Sequence, residues 1–230
     1  GLDNLVKDGS GTWVLTGASS HVGDTVVNAG TLDLSQGGRI WTDQTAYQAP
    51  AAVDEGRLTV RGGGKIIVSD WTRSATGSLG WLYHAPTYIY LDDGTIELTQ
   101  TSSEVRSMTI LGGGGTLSAG AGATWTMQFG SGGQTTIAGS GGGTFTLTGA
   151  GNGVIEKDLA SGIGNLVKDG GGTWTVSGIA GHGGATIVQD GTLVLSGANT
   201  YTGGTVVNQG TLRADNILAL GPAGSSVTLN

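Results

Sequence analysis

Three histidines, two adjacent pairs of acids and a concentration of aromatic rings are the residues of this 230-residue chain whose types could do chemistry. A histidine trades a proton near neutral pH. Paired carboxylates serve acid–base and glycoside chemistry. Outward aromatic rings grip sugars or partner proteins through their faces and polar tips. Spacing separates these candidates. His21 lies nine residues before Gly30, His182 nine before Gly191 and Tyr201 nine before Gly210, so the three share one repeat position and read as structural. His84 alone stands outside that pattern. No serine sits in a Gly-x-Ser-x-Gly elbow, which weakens an esterase reading.

The acidic pairs are Asp54-Glu55 and Asp92-Asp93. Adjacent residues on a strand face opposite ways, so neither pair makes a cooperating dyad by itself. Each stands just before a Gly-led strand, where Asp is an ordinary turn residue. The acids do not cluster at ligand spacing and histidine is scarce, so no metal site and no cofactor is expected. Runs such as Gly112 to Gly115 are not followed by a helix-like segment, so they read as corners and not as phosphate loops.

Aromatics point further. Trp41, Tyr47, Trp71, Trp81, Tyr83, Tyr88 and Tyr90 all lie between residues 39 and 93, seven of the eleven Trp and Tyr in the chain. In Tyr88-Ile89-Tyr90-Leu91, alternation places the aliphatics on one face and both tyrosines on the other. If the aliphatics point inward the tyrosines point out, and with Arg73 and His84 nearby the set forms a candidate ligand-binding surface. The competing expectation is a long loop packed on the fold. Trp13 and Trp174 occupy a core position of the repeat and are expected inside.

The elements that would position these residues follow from composition and period. The chain has 47 glycines, 3 prolines and no cysteine, and only 12% of its residues are charged. Glycine without a three-residue period excludes collagen, and the regular apolar segments exclude disorder. Zero cysteines exclude disulfides and thiolate metal sites. The net charge of −7 with scattered Lys and Arg leaves no nucleic-acid footprint and no polybasic membrane contact. No apolar run approaches the roughly 20 residues of a membrane-spanning helix.

Repeats decide the fold. NLVKDGSGTWVLTG at 4–17 returns as NLVKDGGGTWTVSG at 165–178, and a Gly-Thr marker starts at Gly11, Gly30, Gly172, Gly191 and Gly210. Local steps are 19 residues, and the 38 residues from Gly56 to Gly94 read as two such steps. Apolar and polar residues alternate within a unit, the pattern of strands with one buried face. A unit of this size cannot bury its own apolar face, so successive units must stack. The expectation is all-β: a right-handed parallel β-helix of 19–21-residue coils, roughly eleven of them. Gln189 and Asn208, 19 apart, should join in an amide ladder. Leucine-rich repeats and propeller blades fail on period and markers.

LSGANTYTGGTVVNQGTL at 195–212 resembles the autotransporter-associated β-strand repeat, also called the passenger-associated transport repeat, and 4–17 and 165–178 resemble its upstream half. The close match covers 4–34 and 165–214; the middle agrees in rhythm only. The resemblance implies a type V secretion protein with a signal peptide, a β-helical passenger and a C-terminal outer-membrane β-barrel. On that reading residues 1–230 are one β-helix fragment of a longer passenger, with 39–93 an aromatic-rich insertion or set of decorated coils, and 165–214 the best-matching transport repeats. The implied location is the bacterial cell surface or the medium, with membrane contact only through a barrel outside this chain. Such passengers include adhesins, self-associating proteins and enzymes. The leading expectation is non-enzymatic: adhesion to a host surface glycan or protein, or to another copy of itself, together with assistance to its own folding and secretion. The alternatives are a polysaccharide lyase or hydrolase, with Asp92, Asp93, Arg73 and His84 as first suspects, and an inert spacer.

Overall fold

The computed structural model describes residues 4–21, 23–42, 56–72, 78–79, 89–106, 108–128 and 136–230, which contain short strands and no helix. They build ten stacked rungs. Rungs 1 and 2 are β1 (Leu5–Lys7), β2 (Thr12–Val14), β3 (Ala18–His21), β4 (Thr25–Val27), β5 (Thr31–Asp33) and β6 (Arg39–Thr42). Rung 3 holds β7 (Leu58–Arg61) and β8 (Lys65–Val68); rung 4 holds β9 (Ile89–Asp92), β10 (Gly94–Leu98) and β11 (Ser102–Glu104). Rungs 5 and 6 are β12 (Thr109–Ile110), β13 (Gly115–Ala119), β14 (Thr124–Met127), β15 (Thr136–Gly139), β16 (Phe145–Gly149) and β17 (Asn152–Ile155). Rung 7 is β18 (Asp158–Leu159), β19 (Leu166–Lys168) and β20 (Thr173–Val176). The last rungs carry β21 (Thr186–Val188), β22 (Thr192–Leu195), β23 (Thr205–Val207), β24 (Thr211–Ala214) and β25 (Val227–Leu229).

Each strand pairs in parallel with the strands one turn before and after it, so the chain winds a parallel β-helix with three faces. The first face is the seven-stranded sheet β1-β4-β7-β9-β12-β15-β18. The second is the ten-stranded sheet β2-β5-β8-β10-β13-β16-β19-β21-β23-β25. The third is broken into β3-β6 and a six-stranded sheet that starts at β11. Ten strands about 4.8 Å apart make a rod about 43 Å long. Fewer rungs form than the expected eleven, because three steps on the second face, Thr31 to Lys65, Lys65 to Thr95 and Gly115 to Phe145, span 30 to 34 residues.

Alternation does what the sequence predicts. On the second face Leu32, Ile66, Ile96, Leu117 and Leu147 stack in one inward column, each fully buried. Each such side chain contributes about 1.5–3 kcal/mol by leaving water. Trp13 begins the same column, yet it is 41% exposed. It points inward as expected, but its rung is the outermost described and is covered on one side only. Within 39–93, β7 and β8 are regular strands with Leu58, Val60, Ile66 and Val68 in the core, so part of this stretch is ordinary coil.

The third-face core is built on size complementarity. Ser102, Trp125, Gly153, Trp174 and Leu193 succeed one another in register, and Trp71 packs beside Trp125 with ring centroids 4.8 Å apart at 67°. Trp125 and Trp174 are 6.3 Å apart although a rung lies between them. A ring larger than one strand spacing must lean over its neighbour, and Ser102 and Gly153 leave that room. A Cβ at Gly153 would overlap the Trp174 indole.

Candidate functional site

The shared position of His21, His182 and Tyr201 is a corner just before a first- or second-face strand. His21 Nε2 shares a hydrogen bond of 2.8 Å with Thr25 Oγ1, His182 Nε2 one of 3.1 Å with Thr186 Oγ1, and Tyr201 OH one of 2.8 Å with Thr205 Oγ1. All three rings are buried, and His182 stacks on Tyr201 at 4.8 Å and 18°. Burial pushes the His182 imidazole down to about 4 and lowers His21 as well, because the interior disfavours the charged ring. Both rings are therefore neutral near pH 7 and closed to solvent. The structural reading of this position holds.

Sequence reasoning missed the lysines. Lys7 and Lys168, at matching places in the two NLVKDG segments, are buried. Lys7 Nζ donates to the carbonyls of Asp8 (2.7 Å), Gly9 (2.7 Å) and Ala29 (3.1 Å). Lys168 Nζ donates to those of Asp169 (2.7 Å), Gly170 (2.5 Å) and Asp190 (3.1 Å). Each ammonium ties the corner of its own rung to the corner of the next. Gly191, at φ +66°, keeps open the space beside it, since a Cβ there would sit 2.7 Å from Lys168 Nζ. Burial lowers the pKa of Lys168, and Asp190 and Asp169 oppose the shift. The signal was present: Lys7 alternates with Val6 and so shares the inward side of Leu5.

Of the enzymatic suspects, Asp92 and Asp93 form a corner. Asp92 Oδ1 accepts a 2.7 Å bond from Gly113 N, and Asp93 takes φ +64°, a conformation that Asp tolerates in turns. Arg73, His84 and the pair Asp54-Glu55 lie outside the described residues. Among the described residues, no three acidic or histidine side chains converge as metal ligands.

The aromatic surface divides. Tyr90 lies on β9 between buried Ile89 and Leu91 and faces outward, as alternation requires. Trp41 lies in β6, paired with Ser20. Tyr47, Trp81, Tyr83 and Tyr88 lie outside the described residues. Trp71 is fully buried in the third-face column and so does not belong to an outward surface. The reason is local. Ser102 Oγ accepts from Trp71 N at 2.9 Å, and Arg106 donates to the Trp71 and Thr72 carbonyls at 2.9 and 3.0 Å, which turns the indole inward.

That same arrangement opens a cleft of about 420 Å³, lined by Ser69, Asp70, Thr72, Gln100, Thr101, Ser102 and Ser103. It marks the break in the third face, where residues 69–72 lie beside β11 without pairing as a strand. Asp70 replaces ladder bonds with side-chain bonds: Oδ1 accepts from Thr72 N (2.7 Å) and Ser102 Oγ (3.0 Å), and Oδ2 accepts from Thr72 Oγ1 (2.7 Å).

The passenger-associated-transport repeat is present at residues 5–34, 166–195 and 190–214. These stretches coincide with rungs 1 and 2 and with rungs 7 to 9, and they fit an autotransporter passenger built with such repeats. No curated protein and no solved structure matches the chain.

Proposed function

We propose that this chain is exported across the bacterial outer membrane as part of an autotransporter passenger and acts at the cell surface, or after release, in adhesion or self-association. Its repeats assist its own folding and secretion. The observation that carries the reading is the contrast along one rod. The transport repeats of 165–214 form uniform rungs with a closed core, whereas 39–93 leaves the repeat, breaks the third face and holds most of the aromatic side chains. Uniform rungs contact only their neighbours, so folding can propagate rung by rung as the chain emerges. Residues displayed on a rigid scaffold outside the repeat carry recognition. The ligand class is a host surface glycan or protein, or a second copy of the chain.

Binding of the purified chain to an array of glycans and matrix proteins tests the adhesive part, beside a Trp81→Ala/Tyr88→Ala variant. Trp71 is left intact because it is core. Selective binding that disappears in the variant supports recognition by 39–93. An array left blank by both proteins, with no concentration-dependent association, would replace the reading with that of a spacer. For the secretion part, deletion of 165–214 is expected to lower surface display, and unchanged export would sink it.

A further inference from the structure

We propose that the third-face cleft between residues 69–72 and β11 is a binding site for a neutral glycan. The inference rests on the adhesive reading above and names the ligand and the place.

The cleft is built before a ligand arrives. Its floor is Ser102, 8% exposed, and Asp70, whose carboxylate accepts three hydrogen bonds from Thr72 and Ser102. Ser69 Oγ is held by Ser78 Oγ at 3.1 Å, and Thr101 Oγ1 accepts from Thr124 N at 3.1 Å. Fixed polar groups in a concave site lower the ordering cost of a ligand. The volume of about 420 Å³ falls within the range usual for small-ligand sites.

The lining selects the class. All seven residues carry a hydroxyl, a carboxamide or a carboxylate, and none is cationic. Alternating donors and acceptors suit the hydroxyls of a sugar. A sialylated or sulfated chain would meet Asp70 with no cation of the lining to offset it, on a protein of net charge −7. The side chains of Gln100 and Ser103 stand on the rim, exposed and without a hydrogen bond to the described residues, so they are available to a ligand. A peptide adding as a strand is disfavoured, because residues 69–72 already occupy the edge of β11 through the Trp71 N to Ser102 Oγ bond. The aromatic-rich stretch leaves the coil at Thr72, on the lip of the cleft.

The test is an array holding neutral, sialylated and sulfated glycans, followed by titration of the best neutral oligosaccharide into the wild-type chain and two variants. Gln100→Ala/Ser103→Ala removes rim groups, and Ser103→Trp fills the cleft from an exposed position. Both should melt within a degree or two of wild type and bind at least tenfold more weakly. Equal affinity in both variants overturns the proposal, as does binding confined to sialylated or sulfated chains. Neutral glycan binding lost only in Trp81→Ala/Tyr88→Ala, or binding to a matrix protein or peptide alone, overturns the cleft and leaves adhesion standing. No binding to any arrayed ligand removes both.

Discussion

Residues 4–17 and 165–178 differ at four positions, yet they lie on different faces of the rod. In the first copy Leu5–Lys7 runs on the first face and Thr12–Val14 on the second. In the second copy Leu166–Lys168 runs on the second face and Thr173–Val176 on the third. The local chemistry is preserved through this rotation: Lys7 and Lys168 each donate to three carbonyls in the same pattern. The unit thus specifies strand, corner and strand, about a third of a turn, and does not specify which face it enters. What does change is the neighbourhood. Trp13 meets one adjoining rung and is 41% exposed, whereas Trp174 is sealed between Gly153 and Leu193 and donates from Nε1 to the Thr148 carbonyl at 3.0 Å.

The largest expected effect follows directly. Trp174→Ala should cost about 3–5 kcal/mol, the usual loss for a fully buried aromatic, while Trp13→Ala costs less than about 2 kcal/mol. Urea unfolding of the two variants measures both. Equal losses would mean that stability belongs to the unit and not to its surroundings.

The pH dependence ranks next. The fold holds His182 neutral with a pKa of about 4, below its ordinary 6.5. As pH falls from 6.5 the unfolded chain takes a proton that the folded chain refuses. Stability is therefore complete above pH 6.5 and declines toward pH 4, by about 3 kcal/mol in all. His21, shifted in the same direction, acts in the same sense in the first copy. His182→Tyr imitates Tyr201, whose hydroxyl already bonds to Thr205, and should flatten most of that decline. Melting temperatures read at pH 7 and pH 4.5 check it: an unchanged slope in the variant would assign the acid sensitivity elsewhere.

These differences also show which parts of the molecule a sequence can disclose. Strands, corners and inward residues are properties of a few adjacent residues, so alternation and the Gly-Thr marker reveal them. The Asp92-Asp93 turn and the shared corner of His21, His182 and Tyr201 were legible for that reason. The face that a strand joins depends on the summed length of every preceding corner and insertion, which no local pattern contains. The 38 residues from Gly56 to Gly94 illustrate this: Leu58 lies on the first face and Ile96 on the second, so the interval is one rung plus a change of face. Trp71 and the cleft were hidden similarly. Both follow from contacts with Ser102 and Arg106, more than 30 residues ahead in sequence.

Gly153 sharpens the Trp174 side of the comparison at a smaller scale. Gly153→Ala should cost about 1–3 kcal/mol, because the added methyl must displace the Trp174 ring. In a Trp174→Leu background the same substitution should cost much less, and a double-mutant cycle from urea midpoints yields the coupling. Independent, additive losses would show that the alternation of large and small residues is not what sets the column.

The smallest effects lie outside, in two amide ladders that differ only in their ends. In rungs 1 to 3, Asn28 Nδ2 donates to Asp8 Oδ1 at 2.7 Å and Asn28 Oδ1 accepts from Arg61 Nε at 2.6 Å. In rungs 8 to 10, Asn208 Nδ2 donates to Gln189 Oε1 at 2.9 Å and Asn208 Oδ1 accepts from Asn230 Nδ2 at 2.6 Å. The expected Gln189–Asn208 pair thus extends by one rung. Both middle amides are solvent-accessible, so Asn28→Ala and Asn208→Ala should each cost no more than about 1 kcal/mol. Salt separates them. The first ladder joins a carboxylate to a guanidinium through the amide, and its bonds weaken as salt screens those charges. The second is neutral throughout. Raising salt from about 0.1 M to about 1 M should shrink the Asn28→Ala loss and leave the Asn208→Ala loss unchanged, as read from paired melting curves. A parallel response in both variants would show that the ladders stabilise the rod by amide geometry alone, with the charged ends contributing nothing.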